Sequence, residues 1–128
     1  MNLPLRRFGR TNLNIPILSL GSMRFQKSWN QLKFSEISLK EQEKVNRILN
    51  IANEHGLNHI ETALHYGTSE LQLGYALENY DRKSIILQTK IPPNSNIEVF
   101  KENLKTSFEN LRVKKIDLVA IHGLNNDE

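Results

Sequence analysis

The chain contains no cysteine among its 128 residues. This absence excludes a disulfide framework, a thiolate nucleophile and an iron–sulfur cluster held by the chain itself. Long apolar runs are missing too, and nothing approaches the roughly 18 apolar residues of a membrane span. The apolar stretch that follows Arg6 and Arg7 is short, is interrupted by Pro16 and Ser19, and precedes no small-residue cleavage site. We therefore expect a mature, cytoplasmic start.

Charge of one sign is not concentrated in any segment. The net charge is +3 and the calculated pI is about 9.3, but the basic residues are scattered among acids, which does not favour binding to nucleic acid. His55, His59, His65 and His122 do not form a His-x-x-x-His pair on a helix face, because His55 ends a predicted helix and His59 begins a predicted strand. We therefore expect no metal site.

The residues that are present suit one globular domain, with 38% hydrophobic and 24% charged residues. Two short strand-like segments flank residues 9–12, whose glycine and asparagine are typical of a turn. Residues 4–17 are therefore predicted to form a hairpin cap. A first buried strand is predicted over residues 18–21, and residues 24–37 are predicted to be a loop.

Three helices and three further strands are predicted beyond this loop. A capping box, in which a hydroxyl residue is followed three positions later by Glu or Gln, marks each helix start. The three pairs are Ser38 with Glu41, Ser69 with Gln72, and Ser95 with Glu98. Gly56 ends the first helix, and the second runs to residue 79. The strands are predicted over residues 58–62, 84–90 and 116–122, and the apolar start of 84–90 favours burial on both faces.

The resulting order, β-α-β-α-β-α-β, implies parallel strands joined by right-handed helical crossovers. An open doubly wound sheet and a (β/α)8 barrel both fit this order. The first strand–helix turn, residues 21–26, lacks the Gly-x-Gly-x-x-Gly motif expected of a dinucleotide-binding open sheet, and no P-loop occurs. We therefore favour an α/β fold of the TIM-barrel type. The N-terminal half of that barrel would be a single unit over residues 1–128, with four parallel strands and three helices over residues 18–122.

Four side chains suited to carbonyl chemistry lie at or just beyond the ends of successive strands, where barrels place functional residues. They are Glu61, Tyr66, Lys90 and His122. A free phenol is a poor acid at neutral pH, and a nearby ammonium improves it. A carboxylate would hold that ammonium in place, and an imidazole could donate a hydrogen bond to the substrate oxygen. Each residue alone is more often structural; the combination predicts a site that protonates a carbonyl while an external carrier supplies hydride.

These residues also carry a resemblance to a known family. The segment Glu61-Thr62-Ala63-Leu64-His65-Tyr66-Gly67-Thr68-Ser69-Glu70 resembles the Asp-Thr-Ala-x-x-Tyr-Gly-x-Ser-Glu segment of aldo-keto reductases. Lys90 in Gln88-Thr89-Lys90 and His122 in Ala120-Ile121-His122 match the family's lysine and histidine. The opening Arg7-Phe8-Gly9-Arg10-Thr11 is similar too, so the likeness extends over nearly the whole chain.

The resemblance implies a (β/α)8 barrel that uses NADPH or NADH to reduce an aldehyde or ketone. The catalytic residues that it implies are Tyr66 as general acid, Lys90 as the group that strengthens this acid, His122 as the donor that orients the carbonyl, and Glu61 as the acidic partner of Lys90. The residues that it places near the nicotinamide and substrate are Gly21, Ser22 and Met23.

Two departures from the family pattern stand out. Glu61 replaces the usual aspartate, and its extra methylene moves the carboxylate by about 1.5 Å. This glutamate resembles that of a bacterial subgroup that often adds a ferredoxin-like segment with a [4Fe–4S] cluster, which this chain lacks. A complete barrel has about 250 residues, so only half is expected here.

A half barrel would leave two strand edges unpaired. We therefore expect self-association or pairing with a complementary half, and little or no NADPH binding by the isolated chain. Two alternatives to a reductase stay open at this point. They are a non-catalytic binding subunit and a truncated product without activity.

Overall fold

The computed structural model describes residues 3–124. Its N-terminal part is a hairpin in which β1 (Leu5–Arg7) pairs antiparallel with β2 (Asn14–Pro16). The turn between the two strands contains Gly9 and Asn12, both with positive φ angles, and these two residue types tolerate that conformation best. The predicted hairpin is therefore present.

Four parallel strands follow, and neighbours along the chain are neighbours in the sheet. They are β3 (Leu20–Gly21), β4 (His59–Glu61), β5 (Ile86–Ile91) and β6 (Leu118–Ile121). The helices between them are α1 (Leu39–Glu54), α2 (Ser69–Leu77) and α3 (Ile97–Leu111). This order confirms the predicted alternation. The single unit predicted over residues 1–128 extends beyond the described residues at both ends.

The first strand is shorter than predicted, since it begins at Leu20 and leaves out residues 18 and 19. Leu18 is 56% exposed, and β3 is an edge strand whose only described partner is β4. The predicted loop over residues 24–37 contains two single turns of 3-10 helix, at Met23–Phe25 and Phe34–Glu36. A polar and aromatic segment without periodicity does not reveal such turns.

The capping boxes were predicted correctly for one helix of three. Ser38 and Glu41 form the box that starts α1. Ser69 lies inside α2, and its hydroxyl donates to the backbone oxygen of Ser22 instead. Asn96, rather than Ser95, caps α3 by accepting a hydrogen bond from the backbone N–H of Glu98 (2.9 Å). Asparagine caps as well as serine does, so neighbouring polar residues compete for the position.

The helices pack on one face of the sheet and bury the apolar core there. Its fully buried members include Leu73 of α2, Leu87 of β5 and Leu111 of α3. The opposite face of the sheet stays open, and Gln88 and Lys90 on that face are only half-buried. The prediction that this strand is covered on both faces is therefore wrong. A parallel sheet with its strands in chain order and helices on one face only corresponds to half of a (β/α)8 barrel.

The hairpin lies against the amino end of this open face, where Phe8 approaches His59 (ring centroids 6.4 Å apart). The carboxyl end of the sheet is left accessible as a result. None of the helices within residues 3–124 is long and apolar enough to cross a membrane.

Candidate active site

Parallel strands place their carboxyl ends at one edge of the sheet, and the four predicted catalytic residues meet there. Glu61 ends β4 opposite Gln88. Lys90 is the next residue of β5 on the open face, and it lies opposite Ala120. His122 directly follows β6, and Tyr66 lies in the turn after β4. The structure therefore brings together all four side chains.

Lys90 and Glu61 form an ion pair between Nζ and Oε1, with 18% and 23% of the two side chains exposed. Burial lowers the pKa of Lys90, while the contacting carboxylate favours the charged ammonium. The longer glutamate side chain therefore still reaches the lysine, as expected from the sequence.

The Lys90 ammonium also lies over the ring of Tyr66, with Nζ 4.5 Å from the ring centroid. The ring of His122 meets the ring of Tyr66 edge-on, with centroids 5.5 Å apart and an angle of 88° between the planes. These two contacts are made by the ring of Tyr66, and they place its phenol beside an ammonium and an imidazole, two groups that can assist a proton transfer.

The surroundings of His122 favour its neutral form. Burial lowers its pKa, and the positive charges of Lys90 and His65 lower it further. The backbone N–H of His122 donates to the Ile91 carbonyl (2.8 Å), which fixes the residue to β5. Its Nδ1 is buried without a hydrogen-bond partner in the described part of the chain. A neutral imidazole still has one N–H to donate to a ligand.

The turn that carries Tyr66 depends on Gly67. Its φ angle is +54°, and a Cβ there would overlap the carbonyl oxygen of Ser28. The Ser28 carbonyl accepts a hydrogen bond from the backbone N–H of Thr68 (3.0 Å), and the Ala63 carbonyl accepts one from that of Tyr66 (3.0 Å). The loop after β3 is therefore packed directly on the turn that presents the phenol.

The three residues predicted to approach a cofactor differ in accessibility. Gly21 is exposed on the open face, and a Cβ added to it would come 3.8 Å from Oε2 of Glu61. Met23 is half-buried in the following turn. Ser22 is fully buried, and its hydroxyl donates to the Glu61 carbonyl (2.9 Å). The Ser22 side chain thus holds the backbone together, while Gly21 and Met23 leave room for a ligand.

Two further groups at this edge were not singled out from the sequence. His65, beside Tyr66 in the same turn, is exposed, with its ring centroid 6.1 Å from that of His122. Glu70 is fully buried and accepts hydrogen bonds from Thr89 Oγ1 (2.6 Å) and Asn110 Nδ2 (3.2 Å). Both belong to the segment that carries the family resemblance, and this was the signal that could have drawn attention to them.

A cavity of about 340 Å³ lies away from this edge. It is lined by residues of α2 and by residues that precede β5 and β6, so it opens at the amino end of the sheet. None of the four catalytic candidates lines it. No group of three His, Asp or Glu that could hold a metal ion occurs within residues 3–124.

Comparison with known proteins finds one family, by its sequence model and by similar structures. Residues 17–127 match the model of the Aldo/keto reductase family, whereas no curated protein matches significantly. An aldo-keto reductase from Bacillus halodurans, in its holo form, superposes with a TM-score of 0.79 at 26% identity over 99% of this chain and 42% of its own.

Two other structures show the same fold. A thermostable aldo-keto reductase with the inhibitor epalrestat bound has a TM-score of 0.83 at 24% identity, over 98% of this chain and 45% of its own. An aldo/keto reductase from Klebsiella pneumoniae, bound to NADP and acetate, has a TM-score of 0.68 at 20% identity, over 97% and 41%. The chain thus spans less than half the length of these three proteins. Because the family model covers most of its residues, the chain belongs to the aldo/keto reductase family.

Proposed function

We propose that this chain supplies the proton-donating site of a reductase that uses NADPH, or NADH, to reduce an aldehyde or a ketone. The observation that carries the proposal is the convergence of four groups. Lys90 Nζ contacts the Glu61 carboxylate and lies 4.5 Å from the centroid of the Tyr66 ring, and the His122 ring lies 5.5 Å from that ring. Family membership supports oxidoreduction in general.

In this proposal Tyr66 donates its phenolic proton to the carbonyl oxygen as negative charge develops there. The ammonium of Lys90 stabilises the phenolate that is left behind, which is an electrostatic contribution from a pre-positioned charge. Glu61 keeps this ammonium in place. His122, held neutral, donates its N–H to the carbonyl oxygen and orients the substrate before proton transfer.

The residues present fit one end of a nicotinamide cofactor. The open face beside Gly21, bounded by Met23, could accept a flat ring next to Glu61 and Lys90. A bound NADPH would supply the hydride that no side chain can supply. The chain spans less than half the length of its structural relatives, and we propose that a further half barrel holds the remainder of the cofactor.

We also propose that the open edges of the sheet are covered by a further half barrel, provided by a complementary chain segment or by a second copy. Val119 and Ile121 of β6 are 46% and 45% exposed, and no other described strand pairs with the outer edge of β6. Analytical ultracentrifugation of the chain, alone and with candidate halves, would test this. A stable monomer that gains nothing from either partner would contradict it.

The test of the catalytic proposal is the rate of NADPH oxidation with an aldehyde in the assembled protein. Tyr66→Phe should reduce kcat by about 100-fold or more, since positioned acids contribute that much. Tyr75→Phe is the matched control, because its ring stacks on Phe34 away from the site. Full activity in Tyr66→Phe would refute the assignment.

The alternative is a non-catalytic subunit or a fragment that is inactive by itself. Titration calorimetry with NADPH separates these possibilities. We expect weak or undetectable binding by the isolated chain, whereas tight binding without turnover would favour the non-catalytic subunit.

A further inference from the structure

The two residues that begin α2 have no role in the proposed chemistry. Ser69 and Glu70 follow the Tyr66 turn directly and are both fully buried. Neither contacts a reacting atom in the proposed mechanism. Both belong to the segment that carries the family resemblance, and their hydrogen-bond partners indicate what they do.

Ser69 connects the carboxyl ends of β3 and β4. Its hydroxyl donates to the backbone oxygen of Ser22 (2.7 Å) and lies 3.1 Å from the hydroxyl of Thr62. Ser22 follows Gly21, the last residue of β3, and Thr62 follows Glu61. The first residue of α2 therefore links the backbone beside Gly21 to the side chain of the residue that follows Glu61.

Glu70 connects β5 to α3 in the same way. Its carboxylate accepts from Thr89 Oγ1 (2.6 Å) and from Asn110 Nδ2 (3.2 Å), and among the described residues no cation pairs with it. Burial raises the pKa of Glu70. A buried carboxylate with only neutral donors costs folding free energy that an apolar residue would not, so simple packing does not account for it.

We propose that Ser69 and Glu70 are positioning residues that fix the carboxyl ends of β3, β4 and β5 relative to the Tyr66 turn. This inference rests on the proposed function. Thr89 precedes Lys90 and points to the opposite face of β5, so the bond from Thr89 to Glu70 anchors the backbone from which the ammonium projects. Small displacements of such a group are costly, since an error of about 1 Å can reduce a rate 100-fold.

The decisive experiment replaces Thr89 and observes His122 by NMR. Thr89→Val keeps the side-chain shape but removes the donor to Glu70, and Thr89→Ser restores a hydroxyl. His122 faces Lys90, His65 and the Tyr66 ring, and its pKa is lowered by burial first and then by the charge of Lys90. If Lys90 moves away, the titration midpoint of His122 should shift upward in Thr89→Val and return in Thr89→Ser.

Thr106→Val is the matched control, because the Thr106 hydroxyl bonds only to the Glu102 carbonyl on α3 (3.0 Å). It should leave the His122 titration unchanged. If Thr89→Val does not fold, Glu70→Met, which keeps the side-chain length but removes the acceptor for Thr89, takes its place with the same titration. An unchanged His122 midpoint in the folded variant would overturn the inference, even if stability falls.

The titration requires no turnover, so its outcome is independent of the proposed function. In the assembled enzyme, Thr89→Val should lower kcat roughly tenfold with little change in KM, and Thr89→Ser should recover it. Activity that survives in Tyr66→Phe would instead count against the reductase itself. The two failures are therefore distinguishable.

Discussion

The two faces of the four-stranded sheet differ in composition and in task. On the face covered by helices, Leu87 and Ile91 of β5 are fully buried. On the open face, Gln88 and Lys90 of the same strand are polar and half-buried. Alternate residues of a strand point to opposite faces, so adjacent positions serve different purposes. Substitutions at neighbouring residues of one strand should therefore differ in effect. Those on the covered face should lower stability, and those on the open face should alter the chemistry of the site.

Polar groups on the open face are also paired with one another. Ser19 Oγ lies 2.7 Å from Nδ1 of His59, and Nε2 of His59 lies 3.1 Å from Oε1 of Gln88. Burial lowers the pKa of His59 and favours its neutral form. With a neutral ring, Ser19 donates to Nδ1 and Nε2 donates to Gln88, so this face satisfies its hydrogen bonds internally below the Glu61–Lys90 pair.

The sharpest test of the comparison is Leu87→Ala against its neighbour Gln88→Ala. Removing a fully buried leucine leaves a cavity and should cost about 2–5 kcal/mol of unfolding free energy. Gln88→Ala should cost about 1 kcal/mol, the price of one lost hydrogen bond. Urea unfolding followed by circular dichroism measures both. Equal costs at the two positions would remove the distinction between the faces.

Gly67→Ala tests how tightly the loop after β3 packs on the turn that carries Tyr66. Gly9 provides a matched control, because its φ angle of +53° is close to the +54° of Gly67 and a Cβ there would meet nothing within 4 Å. Gly9→Ala should cost about 1 kcal/mol from its left-handed backbone alone. Gly67→Ala should cost about 1–3 kcal/mol more, because the methyl group overlaps the Ser28 carbonyl. Similar melting shifts for the two variants would show that the loop yields freely.

Much of the covered face could be predicted from the sequence. Apolar periodicity and strand–helix alternation predicted the order of elements, because burial on one face imposes a regular pattern. The hairpin followed from turn chemistry around Gly9. Helix starts were less predictable, since Asn96 and Ser95 are both competent caps and only tertiary contacts decide between them.

The polar groups at the carboxyl edge of the sheet were less predictable. The motif identified Tyr66, Lys90, His122 and Glu61, and the structure brings them together, but their catalytic roles stay proposals. The burial of Glu70 could not be predicted, because a charged residue in a first helical turn is usually solvated. Its position depends on Thr89, which is distant in sequence, and local pattern carries no information about such pairs.

Glu70 also provides a pH test on the covered side of the sheet. Burial raises its pKa above the value in the unfolded chain, so the folded state holds the proton more tightly. The free energy of unfolding should therefore fall as pH rises from the ordinary glutamate pKa through the raised one. Glu70→Gln should abolish this fall, and Glu102→Gln, at an exposed carboxylate, should not. Parallel pH profiles for Glu70→Gln and the parent would contradict the assignment.

Val119→Thr should have the smallest effect, and it tests the comparison of the two faces at the edge strand β6. Val119 pairs with Thr89 in the sheet and so faces the helix side, yet it is 46% exposed because no described helix covers β6. A surface substitution of this kind should change stability by about 0.5 kcal/mol or less. A larger loss that grows with protein concentration would show that a second copy covers this edge in solution, because only an assembled state would bury the valine.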